Sequence, residues 1–139
     1  MRELKFRQPI FNNEGIFIHW HYWGFIDNGC FVSPYCNPPE KAQEQSQQYT
    51  GLKDKNGKEI YEGDIVLWED WHGFEDEMAH PEPDYDWRKP HEIIWDDCGF
   101  NIKMPFDNNL RISGKYDYIK QYGVEIIGNI YENGKLLKG

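Results

Sequence analysis

The feature that most constrains the fold lies in residues 52–68, where a tight turn is followed almost at once by a run that is apolar on both faces. The pair Asn56-Gly57 stands between two short flanks and is typical of a β-hairpin turn, because both residues tolerate the positive φ angles that such turns need. Residues 65–68 read Ile-Val-Leu-Trp and have no polar face. This run predicts an interior strand at the centre of a β-sheet core.

Further strand and turn signals are spread along the chain. Residues 15–25 alternate in the manner of a strand, and the turn formers at 27–29 predict that residues 30–32 return antiparallel to it. Residues 91–95 and 100–104 flank the segment 96–99, which predicts a second hairpin with a four-residue loop. These signals indicate a chain that folds mainly by joining hairpins.

The end of the chain combines a helical signal with a strand signal. Residues 116–122 predict one or two helical turns that end at Gly123, and residues 124–131 predict a final strand. Asn133-Gly134 is expected to begin a short polar tail. The whole pattern predicts an all-β or β-dominated fold, a small barrel that is SH3-like in part, built from hairpins with one or two short helices and an acidic insertion.

Composition supports one domain over residues 1–139 and indicates what fills its core. A length of 139 residues fits a single domain. Apolar residues make up only 39% of the chain, yet 6 Trp, 9 Tyr and 8 Phe are among them. Because large rings bury much area per side chain, the core is expected to be built on aromatic residues.

An acidic segment is predicted to form an insertion loop over residues 69–90. Between residues 69 and 86 there are eight carboxylates and no Lys or Arg. Three interpretations are open: a solvated disordered loop, a surface that docks a basic partner or a second copy of the chain, and a calcium-binding loop. Rings among the charges favour the docking surface, because interfaces are enriched in aromatics. The predicted partner-binding residues are Trp71, His72, Phe74, Tyr85 and Trp87.

The charge balance bears on the partners that the chain can have. Fifteen Lys and Arg against 24 Asp and Glu give a net charge of −9, which repels a phosphate backbone and argues against duplex binding. A nucleic-acid-associated barrel module is still an alternative, since several basic residues could form a local patch. They are Arg2, Lys5, Arg7, Lys53, Lys55 and Lys58.

Other features predict a cytoplasmic protein. No apolar run approaches the length of a membrane span, and the first residues lack the hydrophobic stretch of a signal peptide. Cys30, Cys36 and Cys98 leave one thiol unpaired under any disulfide scheme, which suits a reducing compartment. Their spacing does not match a structural zinc site, and no metal or cofactor is inferred.

Three residues require a choice between a structural and a chemical role. His19 and His21 lie two apart on the predicted strand, a geometry that metals use, but the interleaved Trp20 and Trp23 favour a packed or half-exposed aromatic face. Asp64 could be a catalytic carboxylate, although a Gly-Asp pair at the start of a strand more often bonds nearby backbone amides. An enzyme whose histidines and carboxylates meet only in space is therefore the second alternative.

Three segments of the chain resemble the YopX family of small phage and prophage proteins. They are MRELKFR (residues 1–7), QYTGLKDKNGKEIYEGDIV (residues 48–66) and VEIIGNIYEN (residues 124–133), about a quarter of the chain. The resemblance implies a β-rich fold with a barrel-like core and no established biochemical activity. The expected function is that of a non-enzymatic phage or prophage accessory protein that acts through protein–protein binding and self-association, with no membrane or small-molecule partner.

Overall fold

The computed structural model describes residues 4–26, 30–33, 46–73, 85–96, 99–104, 109–112 and 118–137. Within these residues the fold is β-dominated, as predicted, with two five-stranded antiparallel sheets and short helices near the end of the chain. The elements are β1 (Lys5–Phe11), β2 (Phe17–Ile26), β3 (Cys30–Val32), β4 (Gln47–Lys53), β5 (Glu59–Tyr61), β6 (Asp64–Trp68), β7 (His91–Asp96), β8 (Gly99–Ile102), β9 (Leu110–Arg111), α1 (Tyr118–Tyr122), β10 (Val124–Asn129), α2 (Ile130–Asn133) and a 3-10 helix (Gly134–Leu137).

The first sheet has the strand order β3-β2-β1-β4-β5. A long hairpin joins β1 to β2, and Asn12 shapes its turn because its Oδ1 accepts hydrogen bonds from the backbone N–H groups of Glu14 and Ile16. The pairing of β2 with β3 confirms the predicted hairpin, whereas its turn residues 27–29 lie outside the described part of the chain. Among the described strands the sheet ends at β3, a strand of three exposed residues.

The second sheet has the order β10-β6-β7-β8-β9, and β6 lies between two neighbours. The predicted interior strand is therefore confirmed, and Ile65 and Val66 are fully buried. The core beside it is mostly aliphatic, so the expectation of an aromatic core is wrong. Most members of the buried cluster have β-branched side chains, which suit strands, whereas rings pack on one another along the first sheet, as Phe6 does on Trp23. The buried cluster consists of Ile60, Val66, Trp68, Trp87, Ile93, Phe100, Ile102, Met104, Ile112, Ile119 and Val124.

The Asn56-Gly57 turn is confirmed and also connects the two sheets. Gly57 has a φ of +81°, and Oδ1 of Asp54 accepts hydrogen bonds from the backbone N–H groups of Asn56 and Lys58. The second oxygen of Asp54 accepts from the N–H of Ile126 on β10, at 3.2 Å. The side chain of Asp54 therefore fixes both the shape of the turn and its position against the second sheet.

Gly63, just before β6, connects this strand to β7 and to α2. It has a φ of +87°, its N–H donates to the carbonyl of Ile93, and its carbonyl accepts from the N–H of Ile130. A Cβ atom at this position would lie 2.0 Å from Nε2 of Gln47. The positive φ favours glycine here, and a larger residue would also displace the end of the Gln47 side chain, which accepts a hydrogen bond from Arg7.

The structure corrects three expectations. The final strand ends at Asn129 instead of residue 131, because the Asn129 side chain accepts hydrogen bonds from the N–H groups of Tyr131 and Glu132 and so begins a helix. The second hairpin stays paired as far as Asp96 and Gly99, so its loop is shorter than four residues. Among the described strands both sheets are open, and the closed, SH3-like barrel is not found.

The helical prediction before β10 is confirmed for α1, which ends where Gly123 adopts a φ of +75°. None of the helices in the described residues has the length and apolar character that a membrane span requires.

Candidate functional site

A buried ion pair joins the two sheets. Nη2 of Arg7, on β1, lies 2.7 Å from Oδ1 of Asp64, at the start of β6, and the two residues are only 6% and 2% exposed. Nε of Arg7 donates to Oε1 of Gln47 at 2.8 Å. Oδ2 of Asp64 accepts from the backbone N–H of Tyr61 at 2.8 Å, which confirms the predicted backbone bond of this carboxylate. Both carboxylate oxygens of Asp64 are thus engaged.

Aromatic rings enclose the guanidinium of Arg7. Its Cζ lies 4.0 Å from the ring centroid of Trp20 on β2 and 4.7 Å from that of Tyr61 on β5. A planar guanidinium stacks well on rings and is weakly hydrated, which makes arginine suitable for such an enclosed position. Three strands of the first sheet therefore combine to hold one cation in place.

One nitrogen of this guanidinium is still available. Nη2 and Nε are hydrogen-bonded, but Nη1 of Arg7 has no partner among the described residues. Arg7 lines an open cleft of about 470 Å³ between the two sheets. We call it the Arg7 cleft, and its lining residues are Arg7, Trp20, Tyr22, Lys58, Glu59, Tyr61, Asp64, Ile126, Ile127, Gly128, Asn129, Glu132 and Asn133.

Burial sets the protonation states of the cleft. It raises the pKa of the Asp64 carboxyl, and the neighbouring Arg7 guanidinium opposes that shift. Burial also raises the pKa values of the Tyr22 and Tyr61 hydroxyl groups above their ordinary value. Both phenols therefore keep their protons at neutral pH and can donate hydrogen bonds into the cleft.

The predicted partner-binding residues of the acidic segment do not form one exposed surface in the described part of the chain. Trp87 is 2% exposed and belongs to the core, where it packs beside His91. Tyr85 packs against the same core, and its hydroxyl is hydrogen-bonded to Nε2 of His91. Trp71 also packs partly against the core and stacks on His72, whereas Phe74 lies outside the described residues.

The insertion loop over residues 69–90 stays a prediction, since only its two ends lie in the described part of the chain. Its described ends, residues 69–73 and 85–90, pack against the folded body because their rings find apolar partners there. Trp87 is buried in the core. A contact role for Trp71, His72, Phe74, Tyr85 and Trp87 stays a prediction.

The remaining candidate residues are also placed. Nε2 of His21 lies 2.8 Å from the carbonyl oxygen of Ser33, and His19 is exposed on the same strand. Within the described ranges, no three His, Cys, Asp or Glu side chains are grouped so that they could hold a metal ion. Two lysines of the predicted basic patch are paired with carboxylates: Lys5 with Glu59 and Lys55 with Glu69.

A group of exposed apolar side chains on the first sheet is a further feature that the sequence did not predict. Seven large apolar side chains in or beside β1, β2 and β3 are between 36% and 58% exposed. The rings of Phe25 and Phe31 face each other across β2 and β3, with centroids 5.4 Å apart. The signal was present in residues 16–23, where both faces of the strand carry large apolar or aromatic residues. We call this the apolar hairpin surface: Leu4, Ile16, Ile18, Tyr22, Phe25, Phe31 and Val32.

Comparison with known proteins gives a family and a structural relative. The family described as YopX protein matches residues 22–138. The solved structure of protein EF1440 from Enterococcus faecalis is 24% identical in sequence, with a TM-score of 0.49, over 99% of this chain and 100% of the other. Comparison with curated proteins gives no significant match.

Proposed function

The chain belongs to the YopX family, and on that premise we propose that it is a non-enzymatic phage or prophage accessory protein that binds protein and associates with itself through the apolar hairpin surface. The role is proposed for the cytoplasm of the bacterial host. The observation that carries the proposal is the cluster of exposed apolar side chains on β2 and β3. Large contiguous apolar patches on a protein surface commonly mark interaction sites.

The position of β3 supports a second copy of the chain as the occupant. β3 is the outer strand of its sheet within the described ranges, and all three of its residues are exposed. Exposed edge strands usually carry charges or proline that prevent pairing with another chain, but this one carries Phe31 and Val32. Two copies related by a two-fold axis can bury the same patch on both subunits, which satisfies both surfaces at once.

The Arg7 cleft supports a binding role over a catalytic one. The Asp64 carboxylate, the most deeply buried acid there, accepts hydrogen bonds from Arg7 and from the N–H of Tyr61. A general base needs a free oxygen within reach of the proton that it removes. Asp64 therefore serves to hold Arg7 and the turn before β6.

The experiment compares Phe31→Asp with the matched control Leu136→Asp. Leu136 is also exposed, at 41%, but it lies in the 3-10 helix and outside the apolar hairpin surface. Sedimentation velocity over about a hundredfold range of concentration should show association of the wild-type chain and of Leu136→Asp. Phe31→Asp should stay monomeric, because a carboxylate in the patch would lose its hydration on association.

Circular dichroism confirms that each variant is folded before association is compared. A wild-type chain that stays monomeric at every concentration would overturn self-association. An equal degree of association in Phe31→Asp and wild type would overturn the assignment of the contact to this surface.

A further inference from the structure

The Arg7 cleft has the features of a ligand site and shares only Tyr22 with the apolar hairpin surface. A guanidinium that is nine-tenths buried lines it and keeps one nitrogen without a partner among the described residues. An acceptor in the cleft would give Nη1 of Arg7 a charge-assisted hydrogen bond, which is stronger than a bond between neutral groups. We propose that the cleft binds a small zwitterion of the amino-acid type, which carries both a carboxylate and an ammonium group.

The donors in the cleft match the carboxylate of such a ligand. Nη1 of Arg7 supplies two N–H donors, and arginine recognises carboxylates well. The hydroxyls of Tyr22 and Tyr61 are protonated and have no hydrogen-bond partners among the described residues. The exposed Lys58 also lines the cleft, and its ammonium has no ion pair within the described part of the chain. Together these groups can satisfy a carboxylate.

The charges that are left after pairing indicate the second half of the ligand. Arg7 is paired with Asp64, and Glu59 is paired with Lys5 at 2.7 Å. Glu132 accepts a hydrogen bond from Nδ2 of Asn129 but has no cationic partner among the described residues. The two charges that stay uncompensated around the cleft are thus Lys58 and Glu132, of opposite sign. A zwitterion compensates both.

This balance argues against a strongly anionic ligand. Glu59, Asp64 and Glu132 all line the cleft, and a phosphate dianion would add two negative charges beside them. A volume of about 470 Å³ is sufficient for a free amino acid. The cleft is positioned by secondary structure: Lys58 follows the turn that Asp54 holds, and Glu132 lies in the helix that Asn129 begins.

The test measures binding of each free L-amino acid to the full chain by isothermal titration calorimetry. For each amino acid that binds, the N-acetyl and the carboxamide derivatives are then measured. The proposal expects binding by at least one free amino acid, and a loss of about tenfold or more in affinity when either charged group is capped, as for a lost charge-assisted hydrogen bond.

Two variants and two matched controls assign the binding to the cleft. Lys58→Met and Glu132→Gln should each weaken binding about tenfold. Lys53→Met and Glu14→Gln remove an exposed charge outside the cleft and should bind like the wild type. The proposal is overturned if no amino acid binds. It is also overturned if an N-acetyl derivative binds the wild type with full affinity, or if both cleft variants bind the amino acid with full affinity. Self-association of the chain is a separate measurement and does not decide this result.

Discussion

Replacement of Arg7 by methionine tests the structural role of the buried ion pair. The change keeps an apolar side chain of similar length between the rings of Trp20 and Tyr61. It leaves the Asp64 carboxylate, which is only 2% exposed, without a cation beside it. Removal of one partner from a buried pair costs about 3 to 5 kcal/mol. Since domains of this size are stable by about 5 to 15 kcal/mol, Arg7→Met should lose a large share of its stability.

The assay is urea denaturation followed by tryptophan fluorescence at neutral pH. The double variant Arg7→Met/Asp64→Asn provides the comparison, because an asparagine oxygen can still accept from the N–H of Tyr61 without a buried charge. The double variant should therefore be more stable than Arg7→Met alone. The difference should shrink as the pH falls, because burial raises the pKa of Asp64 and protonation removes the uncompensated charge. A cost below about 1 kcal/mol for Arg7→Met, or a double variant less stable than the single one, would refute this reasoning.

Three further predictions concern other parts of the molecule. Burial lowers the pKa of His91 to about 4. As the pH falls from 6.5 to 4, the wild type should therefore lose about 3 kcal/mol of stability relative to His91→Gln. Equal pH profiles of the two proteins in chemical denaturation would contradict this. Gly63→Ala should destabilise the fold by about 1 kcal/mol or more, because its φ is +87° and its Cβ would meet Gln47; an unchanged urea midpoint would exclude this. Fluorescence polarisation should show negligible binding of random duplex DNA at physiological salt, because the net charge is −9; tight binding there would favour the nucleic-acid alternative.

The parts of the fold that the sequence predicted are those that local chemistry decides. The Asn56-Gly57 turn follows from backbone preferences of two adjacent residues, and β6 follows from a run without a polar face. The end of α1 at Gly123 is of the same kind. In each case the signal and the structure that it specifies lie within a few residues of each other.

The parts that were missed depend on contacts between distant segments. Arg7 and Asp64 are 57 positions apart, and no local pattern marks them as partners. The strand β1 carries Arg7, Gln8 and Pro9 in its buried middle, so its composition does not resemble a strand. The rings among the acidic residues predict a contact role for Trp87, although its side chain is buried in the core beside His91.

The most direct test of self-association through the apolar hairpin surface is hydrogen–deuterium exchange at low and high protein concentration. The account predicts that the amides of β2 and β3 exchange more slowly at high concentration, and that β8, in the interior of the second sheet, exchanges at the same rate in both samples. Phe31→Asp should show no dependence on concentration in any segment. Equal exchange of β2 and β3 at both concentrations in the wild type would contradict the proposed function.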